Sequence, residues 1–326
     1  MNKFNSWQRC LMFLDAAERY LQTPEDYIRF FDVTINGKLR HLVTYQPNEK
    51  GRSLRILHTN FAEFLSTKYR QARSSYAYAK GKNILDCVNR HLQGEVFLKT
   101  DIHAYFDSIT YDRMISRIKK LRFTEKQDMD TVSLLTKAFF YQGRLPLGFT
   151  SSPILSDLFL VTLDRRYQKN KQITYTRYAD DFIISASGPD ARTSLVSFRL
   201  ELEKDLDALD LQLNRKKTYI RNLKEVGDSI HVLGLNIVRT ETGTNRITIS
   251  DKYIRETCKF LCAWLCKTDE EQNPEEFSKL FGQISFIQQC SPGSYEKLRK
   301  MTRIKCGYDG PLTAKALMPK KIKEDN

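Results

Sequence analysis

Residues 173–187, Ile173-Thr174-Tyr175-Thr176-Arg177-Tyr178-Ala179-Asp180-Asp181-Phe182-Ile183-Ile184-Ser185-Ala186-Ser187, decide how this chain is read. Two runs rich in β-branched and aromatic residues, ITYTRY and FIISAS, flank Ala179-Asp180-Asp181. Such runs read as two strands joined by a tight turn. The turn would push two neighbouring carboxylates out of a sheet into solvent or a cleft. Adjacent acids repel one another unless a cation compensates them. Aspartate also favours turns for conformational reasons, so the pair alone leaves a metal site and a plain turn both open.

A second acid narrows the choice. Residues 95–102, EVFLKTDI, form an apolar-rich strand that ends in Asp101. A carboxylate at the end of a core strand is costly unless it is used or paired. A strand beside the hairpin would bring Asp101 to Asp180 and Asp181. Three carboxylates so placed predict a site for two Mg²⁺ ions roughly 3.5–4 Å apart. One ion would lower the pKa of a primer 3′-hydroxyl and the other would stabilise a leaving pyrophosphate.

Outward from these motifs, the pattern alternates between helix and strand. Residues 3–32 read as one or two helices, 38–47 as a strand, 53–70 and 111–140 as helical, and 143–153 as a loop. A buried helix follows, ILSDLFLVTLDRRYQ, and after the hairpin a helix over about 190–209. LQLNRKKTYI, HVLGLNIV and NRITIS each read as one strand, and 251–305 as mainly helical. Helices mixed with strands around an antiparallel hairpin predict an α+β fold, not a doubly wound parallel sheet. There is no GxGxxG and no GxxxxGK[ST], which leaves nucleotide-binding loops of those kinds unsupported.

The net charge is +14 over 326 residues, and it is uneven. From Lys38 to Lys82 ten basic residues face two acids, and from Lys297 onward nine face three. Tyr45, Phe61, Phe64, Tyr69, Tyr76 and Tyr78 are interleaved with the first block. Basic flanks with aromatic rings suit a polyanion whose bases can stack. No run approaches the roughly 18 apolar residues of a membrane helix. The N-terminus lacks a signal-peptide layout, so a cytoplasmic protein is expected. Seven cysteines, an odd number, do not read as a disulfide framework. Cys258, Cys262 and Cys266 share one helix face; with no CxxC pair and no nearby His they read as small core hydrophobes, not as a metal site.

In order along residues 38–240, the motifs resemble those of reverse transcriptases of the bacterial retron and group II intron-related kind. They are Tyr45-Gln46-Pro47 with Arg55, Tyr76 through Lys82, Asp101 through Ile109, Leu145 through Pro153, Tyr178 through Asp181, Leu213 through Thr218, and Val232 through Leu235. The resemblance implies a right-hand polymerase. Residues 1–95 would be an N-terminal helical extension and fingers. Residues 96–245 would be the palm, with inserted fingers helices at about 111–145. Residues 246–326 would be a helical thumb with a basic tail. It implies that Asp101, Asp180 and Asp181, with the backbone carbonyl of Ile102, hold two Mg²⁺ ions, with Mn²⁺ as a substitute. Phe106 would be a steric gate against ribose 2′-hydroxyls, the alternative being core packing. Tyr105, Gly148, Arg40, Lys80, Lys82 and Lys217 would line the dNTP, the lysines and arginine being otherwise solvated cations. Lys217 would donate a proton to pyrophosphate or contact a phosphate. Tyr178, Ser151, Ser152, Pro153 and Gly234 would face primer and template. His91 and His103 read as structural or RNA-contacting.

Three stretches depart from the retron pattern. Cys87-Val88-Asn89-Arg90-His91 keeps only the His of Asn-Ala-x-x-His, Val232-Leu233-Gly234 replaces Val-Thr-Gly, and Leu147 stands where Gln is usual. The implied function is an RNA-directed DNA polymerase using a dedicated non-coding RNA in antiphage defence. Its partners would be that RNA, its cDNA and dNTPs, with an effector protein as a further candidate. The alternatives are a template-independent or protein-primed DNA polymerase and a non-catalytic RNA-binding scaffold. The length leaves no room after the thumb for an RNase H, endonuclease or maturase domain, an expectation against a mobile-element replicase.

Overall fold

The computed structural model describes residues 5–35, 38–121, 127–268 and 270–318. The start of the expected first helix, Gly37, residues 122–126 of the inserted helical segment and the basic tail from 319 lie outside them. The chain divides into two units, Met1–Cys87 with Leu98–Ile220, and Val88–Phe97 with Arg221–Asn326.

The first unit opens on helices Ser6–Leu11 and Leu14–Gln22. The helical expectation for 3–32 fails beyond Gln22. Thr23 precedes Pro24 and is driven out of the helical region. After a short 3₁₀ turn, IRFFDVTI forms β1 (Ile28–Ile35), paired antiparallel with β2 (Lys38–Tyr45). Its β-branched and aromatic residues are those of a strand. Helix Glu49–Lys68 is capped by the Asn48 side chain, which accepts from the Gly51 N–H at 2.8 Å. Leu54, Leu57, Phe61, Phe64 and Leu65 recur at helical spacing and are buried.

A four-stranded sheet carries the motifs. Its strands are β3 (Val96–Asp101), β4 (Thr174–Tyr178), β5 (Asp181–Ala186) and β6 (Tyr219–Asn222), in the order β4-β5-β3-β6. β4 and β5 are the expected hairpin, with Tyr178 opposite Asp181. β3 is buried at every position but Lys99, in keeping with its apolar start Val96-Phe97-Leu98. Helix Ser152–Tyr167 is buried over most of its surface, and helix Ala191–Asp207 turns Leu195, Phe198, Leu202 and Leu206 inward. The stretch 211–220 is not one strand. The Asn214 N–H donates to the Asp101 carbonyl at 2.8 Å and the Lys217 N–H to the Asn214 carbonyl at 2.9 Å, winding Arg215–Lys217 into a 3₁₀ turn.

In the second unit, β7 (Ser229–Val232), β8 (Leu235–Arg239) and β9 (Asn245–Ile249) form an antiparallel meander. HVLGLNIV is therefore two strands. It reverses at Leu233 and Gly234, both at positive φ (50° and 83°), as a two-residue hairpin turn requires. Helices Asp251–Leu265, Pro274–Cys290 and Pro292–Cys306 follow, capped by the side chains of Ser250, Asn273 and Ser291. Cys258 is buried, Cys262 half-buried and Cys266 exposed, so the stripe enters the core only at its first member. The piece Val88–Phe97 is bound into this unit by its backbone. The Asn245 side chain donates to the Leu92 and Gly94 carbonyls at 3.0 and 2.6 Å, and the Leu223 N–H to the Glu95 carbonyl at 2.8 Å. Among the described residues no helix is long and apolar enough to cross a membrane.

Candidate active site

The hairpin turn and the end of β3 meet through main chain. The Ile102 N–H donates to the Asp180 carbonyl at 3.1 Å. On the other side of Asp101, the segment 212–217 is fastened by Asn214 N–H to Asp101 and by His103 N–H to the Gln212 carbonyl at 2.8 Å. That attachment brings Lys217 onto Asp101, whose Oδ2 accepts from the lysine ammonium. Asp101 is only 3% exposed, and its Oδ1 is buried with no hydrogen-bond partner. Ala179 sits at φ 56°, a left-handed conformation that costs a non-glycine residue about 1–2 kcal/mol.

The charges perturb one another. Burial, and after it the charge of Asp180, push the Asp181 carboxyl up to about 6. Burial also raises Asp180, with Asp101 adding to the rise while a backbone hydrogen bond, Lys217 and Arg40 oppose it. The hydrogen bond to Asp101 raises the Lys217 ammonium above its ordinary value. This donor set is all carboxylate oxygen, with one buried oxygen unpartnered, and it fits a hard divalent cation. As it stands, Lys217 covers the other Asp101 oxygen, and among the described residues no group of three or more His, Cys, Asp or Glu side chains is arranged to hold an ion.

The loop Leu145–Pro153 is fixed against β2. The Val43 N–H donates to the Leu147 carbonyl at 2.8 Å. Gly148 has φ 112°, and a Cβ there would lie 2.2 Å from the Val43 carbonyl oxygen. Tyr45 stacks on Phe149 with centroids 5.3 Å apart, and its hydroxyl accepts from the Thr150 N–H at 3.0 Å. Ser151 is fully buried with an unpartnered Oγ, and the Ser152 hydroxyl donates to the Pro146 carbonyl at 2.6 Å. Pro153 lies in the first turn of helix Ser152–Tyr167 and, with Tyr69, Gln71, Tyr78, Thr150 and Asp157, lines a cavity of about 320 Å³.

The other expected site residues separate by environment. Phe106 is half-buried, edge-on to Tyr105 at 5.6 Å, and not in the core. Tyr105 is buried, and its hydroxyl donates to the Ser156 carbonyl. Tyr178 is half-buried beside the turn, and Arg40 and Lys80 are exposed. Lys82 is engaged internally: its ammonium donates to the carbonyls of Ala72, Arg73 and Ser75 at 3.2, 2.9 and 2.6 Å and lies over the Tyr76 ring. Gly234 makes the β7–β8 turn in the second unit. His91 is buried, which pushes its imidazole down to about 3, whereas His103 is exposed.

Sequence reasoning missed Arg177, Asp157 and Asp164. All three are buried and ion-paired beneath the turn. The signal was present. Arg177 stands in a strand of β-branched and aromatic residues, and Asp157 and Asp164 lie two turns apart on either side of the apolar run Leu158–Val161.

A strand-borne carboxylate beside a two-carboxylate hairpin, with a lysine against it, is an arrangement suited to nucleotidyl transfer. Residues 36–237 match the family described as reverse transcriptase (RNA-dependent DNA polymerase), and the chain belongs to that family. It is an RNA-directed DNA polymerase, and enzymes of this family use divalent metal ions. Retron Ec73 reverse transcriptase of Escherichia coli is 26% identical over 303 residues, covering 89% of this chain and 91% of the relative. Retron Ec86 reverse transcriptase of the same organism is 27% identical over 289 residues, covering 87% and 83%. The expected resemblance to retron enzymes is borne out. Among solved structures, apo telomerase from Candida Tropicalis matches with a TM-score of 0.52 at 12% identity, over 91% of this chain and 60% of that one. That likeness speaks for the fold alone, and the chain spans about three fifths of the telomerase chain's length.

Proposed function

We propose that this polymerase copies a dedicated, structured non-coding RNA into DNA, with two Mg²⁺ ions at Asp101, Asp180 and Asp181, as part of an antiphage system in the cytoplasm. The observation that carries the metal reading is the buried, unpartnered Oδ1 of Asp101, on a strand tied by main chain to the Asp180 turn. Asp101, Asp180 and Asp181, with the Ile102 carbonyl, would hold the ions, which would supply positive charge toward the pyrophosphate and the primer hydroxyl. The chain's own groups do the rest. Phe106 limits space at the sugar. Lys217, already beside Asp101, meets phosphate charge, and exposed Arg40 and Lys80 add to it. The Leu145–Pro153 loop, with Tyr178, steadies primer and template.

The fingers, palm and thumb partition at 95 and 245 belongs to the same proposal, as does an effector protein as partner. Support for a dedicated RNA is the likeness to retron enzymes together with the basic segment from Lys38 to Lys82. The three departures from the retron pattern point to an RNA of different shape. Sequencing the nucleic acid that co-purifies at low salt tests this. One enriched structured RNA with DNA complementary to part of it is expected, released as salt rises. A random sample of cellular RNA would replace the dedicated-template reading with protein-primed or template-independent synthesis.

A further inference from the structure

Beneath the Tyr178–Asp181 turn lies a charge network that nucleotide transfer does not itself call for. Arg177 immediately precedes Tyr178 and is 1% exposed. Its Nε donates to both Asp164 oxygens at 2.9 and 3.1 Å, and its Nη2 to Asp164 at 2.5 Å and to Asp157 at 2.9 Å. Its Nη1 donates to the Ala179 carbonyl at 2.8 Å. Asp157 also accepts from the Ser75 hydroxyl, the Gln71 amide and the Tyr69 hydroxyl, and Asp164 from the Tyr175 hydroxyl. The backbone is held too: the Arg177 N–H donates to the Ser74 carbonyl and its carbonyl accepts from the Tyr76 N–H, each at 2.9 Å.

A buried ion network seldom adds stability over an apolar core of the same volume, and this one reaches past its acids to a backbone carbonyl. Here the fixed atom is the carbonyl of Ala179, the residue strained at φ 56° and bonded directly to Asp180. We propose that Arg177 is a positioning residue for catalysis. Its guanidinium holds the Ala179–Asp180 peptide in one orientation and so directs the Asp180 and Asp181 carboxylates, while Asp157 and Asp164 aim the guanidinium. It touches no substrate. Three acceptors lie around one planar fork, and the point charge of a lysine does not reproduce that arrangement.

The test compares Arg177→Lys with Leu195→Ala, a core truncation on helix Ala191–Asp207, in the full chain on a primed RNA template, well below both melting temperatures. Arg177→Lys should lower kcat by roughly 10- to 100-fold, as small misplacements of reacting groups do. Its KM for dNTP should move by less than about threefold, and Mn²⁺ binding followed by electron paramagnetic resonance should weaken. Leu195→Ala should lose melting temperature while kcat and Mn²⁺ affinity hold. A second variant, Arg177→Met with Asp157→Asn and Asp164→Asn, removes the charges together, so that folding does not depend on uncompensated anions. It should keep the melting temperature and still lose kcat. Arg177→Lys matching Leu195→Ala in both kcat and Mn²⁺ affinity, or the triple variant keeping full kcat, would overturn the proposal.

Discussion

The Ile102 N–H donates to the carbonyl of Asp180 at 3.1 Å, so the two carboxylate motifs are joined through backbone. Replacing the Asp180 side chain leaves that bond in place. Asp180→Asn should abolish primer extension by several orders of magnitude, as loss of an essential metal ligand does. Its melting temperature should hold or rise, since the substitution removes a carboxylate whose ionisation is opposed by burial. Near-wild-type extension would take Asp180 out of the site.

Phe106 is half-buried and leans on Tyr105, so its ring can be removed without opening the core. Phe106→Ala should admit ribonucleotides in competition with dNTPs on one primed template. Unchanged selectivity in an active enzyme would return the ring to a packing role.

Two lysines of one motif should behave oppositely. Lys82→Met strips donors from the Ala72, Arg73 and Ser75 carbonyls and should cost about 1–3 kcal/mol of stability. Its KM for dNTP should stay close to wild type. Exposed Lys80, changed to Ala, should spare stability and raise KM. Denaturant titration and steady-state kinetics on both variants separate the two roles.

Gly148→Ala would place a methyl group 2.2 Å from the Val43 carbonyl oxygen at a φ of 112°. Strain and overlap together should destabilise by about 2–4 kcal/mol. The loop would also be pushed away from β2, so extension should fall even in the folded fraction. An alanine variant with an unchanged melting temperature would contradict the close approach.

Acid sensitivity should come from buried imidazoles. His58 Nε2–H donates to the Ala138 carbonyl at 2.9 Å, and Nδ1 accepts from the Tyr45 hydroxyl at 2.9 Å. Burial pushes His58 down to about 3. The depressed value means its contribution is complete above the unfolded pKa near 6.5. It is lost as pH falls from there toward about 3, at up to ~1.4 kcal/mol per pH unit. His91 adds a similar slope. His58→Gln should flatten the fall of the denaturation midpoint between about pH 6.5 and 4.5. An unchanged slope would mean that other groups carry the acid sensitivity.

What was legible in the chain follows from which forces act locally. The β4–β5 hairpin and β3 declared themselves because their burial is nearly continuous, so composition alone marks them. β1 was hidden behind a helical pattern whose end depended on the single step Thr23-Pro24. The two strands of HVLGLNIV hinged on Leu233 adopting positive φ, which leucine rarely does. Lys80 and Lys82 are indistinguishable in sequence; what separates them is which carbonyls the turn through Tyr78 and Gly81 presents, at φ 59° and 76°. Arg177 was missed because its two acids, 13 and 20 residues earlier on a helix, meet it only when that helix packs against β4.

The attachment of Val88–Phe97 to the second unit bears on how the protein can be dissected. Ending the chain at Ile220 would strip the Asn245 and Leu223 donors from the carbonyls of Leu92, Gly94 and Glu95. The shortened polypeptide would leave those three carbonyls without their donors in mid-chain, and a destabilised product, not a minimal catalytic core, is expected. Separating the halves takes three cuts or a rewired connectivity that carries Val88–Phe97 along with its partners. Inactivity of a simple C-terminal deletion would therefore say nothing about whether the removed helices take part in the reaction.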